Sequence, residues 1–281
     1  MHPAIDLIEP KDYDAAVTKL REFFRMKGFI ETPIQHRLSI LAACEDPFTI
    51  ATFNYAGNVW PLPQTGQMWL EYELLTKPDV PGYYCITTSF RNEAKPIPGR
   101  HNLIFPMFEF ETHGGLDVLQ KLETELLEFM GFGTASSFKE LEYADATAKY
   151  GTKDLTAVEE IKMQEDFGPV VFLRNFPQYT SPFWNMKKEG EFAKKIDVIL
   201  YGIETIGSAE RSIDPKEMRE LFNTISDGMY AKTIFAQFGQ ARVEEELDKF
   251  LSYKFFQRCG GGIGLTRMIR AMKLAKLIPS S

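Results

Sequence analysis

The residues best suited to chemistry lie in two neighbouring segments and in the loop that joins them. Both segments alternate apolar residues as β-strands do, YYCITTSF from residue 83 and IFPMFEFE from residue 104. Their connection is too short for a crossover helix, so the pattern predicts an antiparallel pair. The pair and its loop supply arginines, an imidazole, a ring and carboxylates: Arg91, Glu93, Arg100, His101, Phe105, Glu109 and Glu111.

This set of side chains suits a nucleoside triphosphate. Strand periodicity sends Phe105, Glu109 and Glu111 to one face, close to Arg91 at the end of the preceding strand. Arginine can donate paired hydrogen bonds to phosphate oxygens, phenylalanine can stack on a base, and glutamate can hold a cation or an amine. Each residue by itself also fits the charged, solvated face of an ordinary strand pair, so the hypothesis depends on the rest of the sequence.

The second candidate is the C-terminal segment CGGGIGLTRMIRAMKLAKL. Its glycines predict a tight turn into a helix that begins near Arg267 and carries Leu265, Met268 and Met272 on one face. Unpaired N–H groups at the start of a helix favour an anion. The spacing is neither that of a Walker A loop nor that of a dinucleotide-binding fingerprint, so the segment alone also fits a simple strand-to-helix turn.

Helices and further strands must position these two segments. The spacing of apolar residues predicts helices over 11–27, 70–75, 116–130, 215–232 and 241–255. Strands are also predicted at VVFLR (170–174) and IDVILYGIETIG (196–207). Because the strands pair antiparallel and the helices are interspersed among them, the sequence predicts a single α+β domain.

Composition restricts the class of protein. The 281 residues carry a net charge of −7, so any contact with nucleic acid must be local. Cys44, Cys85 and Cys259 form no C-x-x-C pair, which argues against a disulfide framework or a structural zinc site. The N-terminus has no signal-like pattern, and no apolar run approaches the ~18 residues of a membrane span. We therefore expect a cytoplasmic protein without a membrane partner.

The order of the two candidate segments along the chain matches the order of motifs in a known protein family. TSFRNE with RHNLIFPMFEFE resembles motif 2, and GGGIGLTR resembles motif 3, of the class II aminoacyl-tRNA synthetases. GFIETPI resembles motif 1, with Pro33 as its proline. FPQYTSPFWNM and IDVILYGIETIGSAERSIDP resemble the subgroup of aspartyl, asparaginyl and lysyl enzymes. The resemblance covers nearly the whole chain and implies one catalytic domain over residues 1–281, with an antiparallel sheet flanked by helices.

The resemblance implies an ATP site. Arg91 would bind the α-phosphate and Arg267 the γ-phosphate, which makes these two arginines the catalytic candidates. Phe105 would stack on adenine, while Arg100 and His101 would meet the outer phosphates. The full set implied for ATP is Arg91, Glu93, Arg100, His101, Phe105, Glu204 and Arg267.

The implied cofactors are ATP and Mg²⁺. Glu204, and less strongly Asp197, would hold the metal ion, although Gly207 stands where the subgroup often has a serine. The implied reaction is attack of an amino-acid carboxylate on the α-phosphorus, which gives an aminoacyl-adenylate and pyrophosphate. Positioning and positive charge, rather than a protein nucleophile, would supply the catalysis.

The resemblance also places an amino-acid pocket. The segment LPQTGQMWLEYELL resembles the region that contacts the substrate, and the residues implied for the amino acid are Gln67, Glu71, Glu109 and Arg211. Aspartyl enzymes have a lysine where this sequence has Leu70. An arginine without that lysine suits a neutral amide better than a carboxylate, so asparagine is preferred to aspartate.

Several functions stay open. The sequence starts almost directly at the motif 1 helix, so we expect no anticodon-binding domain, and tRNA contact has only weak support. The leading hypothesis is an amino-acid ligase with an unidentified acceptor, closest to the asparaginyl enzymes. The alternatives are an asparagine synthetase of the archaeal type, which passes aspartyl-adenylate to ammonia, and a catalytically silent regulatory paralogue. Motif 1 implies a homodimer.

Overall fold

The computed structural model describes residues 7–35, 40, 47–97 and 99–279. The helices are α1 (Pro10–Met26), α2 (Gln67–Thr76), α3 (Leu116–Met130), α4 (Tyr143–Tyr150), α5 (Ala157–Phe167), α6 (Pro215–Thr224), α7 (Met229–Phe238), α8 (Gln240–Leu251) and α9 (Leu265–Leu274). The strands are β1 (Ile30–Glu31), β2 (Thr52–Tyr55), β3 (Asn58–Pro61), β4 (Gly82–Phe90), β5 (Ile104–His113), β6 (Lys139–Glu142), β7 (Val170–Pro177), β8 (Lys188–Glu189), β9 (Phe192–Leu200), β10 (Ile203–Glu210) and β11 (Arg258–Gly264).

A nine-stranded sheet organises the molecule. Its order is β1-β4-β5-β11-β10-β9-β7-β6, with β8 paired to β9, while β2 and β3 form a separate hairpin. Pairing is antiparallel from β4 through β7, as the sequence predicts. At the two edges β1 joins β4 and β6 joins β7 in parallel, so the sheet is mixed. The β6–β7 crossover is made by α4 and α5, as parallel pairing requires.

The two faces of the sheet have different coverings. α1, α3 and α9 pack on one face, where the apolar stripe of α1 places Leu20 and Phe24 in the main core beside Phe108 and Phe110 of β5. On the opposite face, α4 and α5 cover one end, and a second core around Trp184 joins α6, α7 and α8 at the other end. An open region of the sheet remains between these coverings, and we call it the cleft face.

Two predicted elements are divided in the structure. The apolar segment 196–207 spans the end of β9 and the start of β10, joined by a turn at Tyr201 (φ 49°) and Gly202 (φ 74°). The predicted helix 215–232 ends at Thr224 and resumes at Met229, because Ser226 and Asp227 both have a φ of 55°. Apolar spacing alone does not reveal such breaks, since left-handed residues other than glycine leave little sequence signal.

The predicted glycine-rich turn is wrong, because residues 258–264 form a strand in the middle of the sheet. β11 lies between β5 and β10, with Gly260 opposite Glu111 and Gly261 opposite Ser208. A Cβ atom on Gly260 would lie 2.0 Å from Glu111 Oε2 and 2.3 Å from the Phe110 carbonyl oxygen. The glycines therefore provide room for neighbouring side chains and backbone, and they do not serve to reverse the chain direction.

We expect Gly260→Ala to destabilise the fold by about 1–3 kcal/mol, since the new methyl group meets fixed backbone as well as a carboxylate. Gly207→Ala is the matched control on the adjacent strand. Its Cβ would approach only movable side-chain atoms, with Glu204 Oε1 the nearest at 3.1 Å, and should cost under about 1 kcal/mol. Urea unfolding of both variants tests this difference, and equal losses would contradict it.

A buried carboxyl group on α3 makes the stability depend on pH. Burial raises the pKa of Glu123 to about 8 from an ordinary value of 4.5, and the Ser208 hydroxyl offsets this only in part. At a pH between 4.5 and about 8, Glu123 keeps its proton in the folded chain and has lost it in the unfolded chain. Stability therefore falls as pH rises through this window, by about 1.4 kcal/mol per pH unit.

We expect Glu123→Gln to remove this contribution, because glutamine does not ionise. Urea titration gives the free energy of unfolding of parent and variant at each pH. The value for the variant minus the value for the parent should be about 2 kcal/mol larger at pH 7.5 than at pH 6. Glu125→Gln, on the partly exposed side of the same helix, is the control and should leave the pH profile unchanged. Parallel profiles for parent and Glu123→Gln would show that Glu123 does not titrate in this range.

Two further findings bear on the composition. Cys85 and Cys259 are free thiols in the core, and burial raises the pKa of both. Cys44 lies outside the described residues. Within the part of the chain that the structure describes, no helix combines the length and the apolar character needed to cross a membrane.

Candidate active site

One cleft on the cleft face of the sheet gathers the predicted site residues. It is bounded by β4 and β5 with their loop, by β10 and β11, and by the start of α2 and α9. The predicted residues that line it are Gln67, Glu71, Arg91, Glu93, Arg100, His101, Phe105, Glu109, Glu204, Arg211 and Arg267. Asp197 lies on the same face but is not among the described lining residues.

The two arginines that the sequence places far apart meet in this cleft. The Arg91 guanidinium lies over the Phe105 ring, 5.4 Å from its centroid. Arg267, at the start of α9, donates to the Glu204 carbonyl oxygen at 2.8 Å and lies 3.5 Å from the Glu204 carboxylate. A flat ring and guanidinium groups from two sides of one cavity form a site suited to a base and its phosphates.

The loop between β4 and β5 is held at the same end of the cleft by an ion pair and a further side-chain contact. Arg100 donates to one oxygen of Glu160 on α5 at 2.6 Å, and the other oxygen accepts the Glu204 backbone N–H at 2.7 Å. His101 Nδ1 lies 2.8 Å from Glu93. Glu160 thus links the loop to β10, a role that the sequence analysis missed, since its partners lie 60 and 44 residues away along the chain.

Positive charge dominates the surroundings of Glu204. Burial would raise its pKa, but the charges of Arg267, Lys195, Arg91 and Arg100 outweigh burial and lower the pKa below its ordinary value. Glu204 is therefore an anion at neutral pH. The arginines among these cations carry donor groups of the kind that bind phosphate oxygens.

The residues near Glu204 fit magnesium only in part. Glu204 and Asp197 flank Gly207, whose Cβ would lie 3.1 Å from a Glu204 oxygen and 3.6 Å from an Asp197 oxygen. The Ser208 hydroxyl donates to the Ile196 carbonyl oxygen on β9, so it does not replace the serine that position 207 lacks. The described residues contain no cluster of three or more acidic, histidine or cysteine groups suited to a metal. Glu204 fits an ion held mainly by nucleotide phosphates.

Carboxylates line the other end of the cleft. Glu109 accepts hydrogen bonds from the Thr65 hydroxyl and, at 2.8 Å, from the Gly66 N–H. Burial raises its pKa to about 7, although these two bonds and the charge of Arg211 act against the rise. Gln67 donates to the Phe110 carbonyl oxygen at 3.0 Å and to Glu111. Glu109 is therefore a buried carboxyl group at the cavity surface, poised between its two protonation states near neutral pH.

A buried network of two arginines and two glutamates lies beneath this end. Arg211 lies 3.4 Å from Glu111 and 3.6 Å from Glu71. Arg258 donates to Glu71 at 2.6 and 3.0 Å, and Asn185 donates to the other Glu71 oxygen at 2.6 Å. Burial raises the pKa of Glu111 to about 7, although the charge of Arg211 acts against the rise. Two arginines beside two carboxyl groups make the burial of this network tolerable.

The sequence analysis missed Arg258, Asn185 and Glu160 in these arrangements. Arg258 had a usable signal, because strand periodicity through the glycine run places it on the same face as Gly260 and Gly262. That signal was lost when the run was interpreted as a turn. Asn185 and Glu160 carried none, since their partners are distant in sequence and lie on other elements.

The structure places Leu70 in the core and not in the amino-acid pocket. Its side chain is fully buried against Leu74, Tyr83 and Cys85, and the residues of α2 that line the cleft are Gln67, Met68 and Glu71. Leu70 therefore faces the core in this chain. The absence of a lysine at position 70 says less about the substrate than the sequence analysis assumed.

The fold and the cleft define a class of protein, and comparison with known proteins gives the family. The family model for class II tRNA synthetases (D, K and N) matches residues 13–279, and the chain belongs to this family. The predicted family and its α+β fold are thereby confirmed.

Solved structures show the same fold. Asparaginyl-tRNA synthetase from Pyrococcus horikoshii, complexed with asparaginyl-adenylate, superposes with a TM-score of 0.74 at 20% identity, covering 94% of this chain and 65% of that one. The Entamoeba histolytica asparaginyl enzyme, also with asparaginyl-adenylate, gives 0.68 at 17% identity, covering 93% of this chain and 63% of that one. The aspartyl enzyme of that organism gives 0.65 at 18% identity, with coverage of 93% and 54%.

Among curated proteins, aspartate–tRNA(Asp) ligase from Pyrobaculum aerophilum is 34% identical over 67 residues, which is 24% of this chain and 16% of the ligase. The chain thus spans 65% or less of the length of these relatives.

Proposed function

We propose that this chain activates an amino acid with ATP, forming an aminoacyl-adenylate and pyrophosphate. The observation that carries the proposal is the convergence of Arg91 and Arg267 beside Phe105, in the cleft that also holds Glu109 and Arg211. One end of this cleft carries Arg91, Arg100, Lys195 and Arg267, and the other carries Glu71, Glu109 and Arg211. This arrangement suits a triphosphate at the first end and an amino acid at the second.

The proposed mechanism needs no protein nucleophile. Adenine stacks on Phe105, Arg91 contacts the α-phosphate, and Arg267 holds the far end of the triphosphate. The amino-acid carboxylate attacks the α-phosphorus, and the bond to the bridging oxygen of pyrophosphate breaks. Arginines already fixed in the cleft stabilise the negative charge that develops on the phosphates, which is where most of the catalysis arises. Magnesium would add positive charge, with Glu204 as the residue that holds it and Asp197 as a weaker candidate.

Asparagine is the proposed amino acid. Arg211 is already paired with Glu111 and Glu71, so it does not present an uncompensated charge to a substrate carboxylate. In its ionised form Glu109 at the cavity surface would repel a second carboxylate, and its oxygens would accept hydrogen bonds from a side-chain amide or an ammonium group. Gln67, next to Glu111, is the proposed contact for the amino-acid backbone.

We further propose a homodimer formed through α1, β1 and the segment around Pro33. β1 is a two-residue strand at the edge of the sheet, and its first residue, Ile30, is 47% exposed. One chain has a mass of 32.2 kDa, and light scattering at micromolar concentration should give twice this value. A monomer under these conditions would remove this part of the proposal.

Pyrophosphate exchange with a panel of amino acids tests the activity. We expect ATP labelling to depend on asparagine, with aspartate at least tenfold weaker. Exchange with aspartate, together with asparagine formation when ammonia is added, would favour an asparagine synthetase. Charging of tRNA in a parallel assay would identify the acceptor. Absence of exchange with every amino acid, with ATP binding retained, would replace the proposal by a regulatory function.

A further inference from the structure

Lys195 is a cleft residue that the mechanism above does not use. It lies on β9, two residues before Asp197 and opposite Ala209 of β10, and it lines the cleft together with Glu204. Its side chain is 12% exposed, and its Nζ lies 4.4 Å from the centroid of the Phe176 ring. This cation–π contact holds the ammonium group at the wall of the cleft, so it does not extend into solvent.

The ammonium group lies beside Asp197, the weaker of the two metal-binding candidates that the family resemblance implies. Lys195 Nζ is 3.3 Å from Asp197 Oδ2, and its charge is one of those that lower the pKa of Glu204. A cation coordinated by Asp197 from the cleft side would approach the Lys195 ammonium closely. Two positive charges at such a distance repel strongly in a half-buried site, so the lysine and a metal ion compete for this position.

Two neighbouring features point the same way. Position 207 offers no hydroxyl, and Ser208 directs its hydroxyl to the Ile196 carbonyl oxygen. Arg267 lies 3.5 Å from Glu204 and already compensates that carboxylate. The protein groups around Glu204 therefore supply positive charge directly, and they offer few oxygen ligands for additional divalent cations.

We propose that Lys195 is a phosphate-binding residue, whose ammonium group supplies to the triphosphate part of the positive charge that a divalent cation would otherwise bring. The inference rests on the proposed function, because it assumes that ATP binds in this cleft. Lys195 forms no covalent bond in this role; its ammonium group contacts a phosphate oxygen by charge and hydrogen bond. The consequence is ATP binding that depends only weakly on Mg²⁺.

The test is equilibrium dialysis of ATP against the full chain, in EDTA and over a series of Mg²⁺ concentrations. We expect the parent to bind ATP in EDTA within about tenfold of its affinity in saturating Mg²⁺. Lys195→Met should lose at least tenfold in EDTA and less in saturating Mg²⁺, where the metal ion replaces the missing charge. Lys195→Arg should keep most of the affinity in EDTA, since it restores the charge.

Lys194→Met is the matched control, because this neighbouring lysine pairs with Glu189 instead of entering the cleft. It should bind ATP as the parent does in both conditions. Equal affinities of parent and Lys195→Met in EDTA would overturn the inference. A parent that binds ATP only with Mg²⁺ would also overturn it, without help from any variant, and would leave the proposed function intact. A parent that binds no ATP in either condition would overturn both proposals.

Discussion

Replacing Arg91 by alanine should lower amino-acid-dependent pyrophosphate exchange by a hundredfold or more. The proposed contact of Arg91 with the α-phosphate strengthens as negative charge develops in the transition state. Loss of one such preorganised donor costs about 3 kcal/mol in activation free energy. The ring of Phe105, whose centroid lies 5.4 Å from the guanidinium, packs against Arg91 and holds it in the cleft before ATP arrives.

The measurement is the exchange rate at saturating ATP and amino acid, with urea unfolding to confirm that the variant folds. Arg174→Ala is the matched control, since Arg174 pairs with Glu140 at 2.7 Å near the far edge of the sheet. That variant should exchange at close to the parental rate. A loss below about tenfold for Arg91→Ala would show that Arg91 does not stabilise the transition state.

The second large effect concerns stability. Arg258→Met should reduce the free energy of unfolding by about 3–5 kcal/mol, because it leaves the carboxylate of Glu71 buried without its closest cation. Both partners are fully buried, so water cannot replace the lost hydrogen bonds. Urea unfolding followed by tryptophan fluorescence measures the change.

A double-mutant cycle separates the pair from its surroundings. Arg258→Met combined with Glu71→Leu removes both charges, and we expect it to regain much of the stability lost by the single variant. Arg219→Ala gives the exposed reference, since its partner Asp248 is 64% exposed, and it should cost less than about 1 kcal/mol. Additive losses in the cycle would contradict a coupled pair.

The local pattern of the sequence predicts much of the fold, and it predicts which residues of β5 face the cleft. Strand periodicity correctly sends Phe105 and Glu109 to the cleft while Phe108 and Phe110 enter the core. That rule needs only neighbouring residues, because the alternation of a strand is fixed by its own backbone. The family resemblance adds Arg267, which no local pattern connects to Arg91.

The charged network is harder to predict because its partners come from separate elements. Glu71 and Arg258 are 187 residues apart, and nothing near either one indicates the pairing. The glycine run of β11 is likewise explained only by residues that are distant in sequence. Glycine favours turns when it is considered alone, and only the carboxylate of Glu111 and the backbone of β5 explain why a strand needs it here.

The central position of β11 has a consequence for how the chain folds during synthesis. Residues 258–264 are the last strand of the described chain, yet they pair with β5 on one side and β10 on the other. Until the ribosome releases them, the β1-β4-β5 ribbon and the β10-β9-β7-β6 ribbon each expose an unpaired edge. The nascent polypeptide therefore passes through a stage at which aggregation is a hazard and chaperone protection is most useful, and this stage ends only when β11 closes the gap.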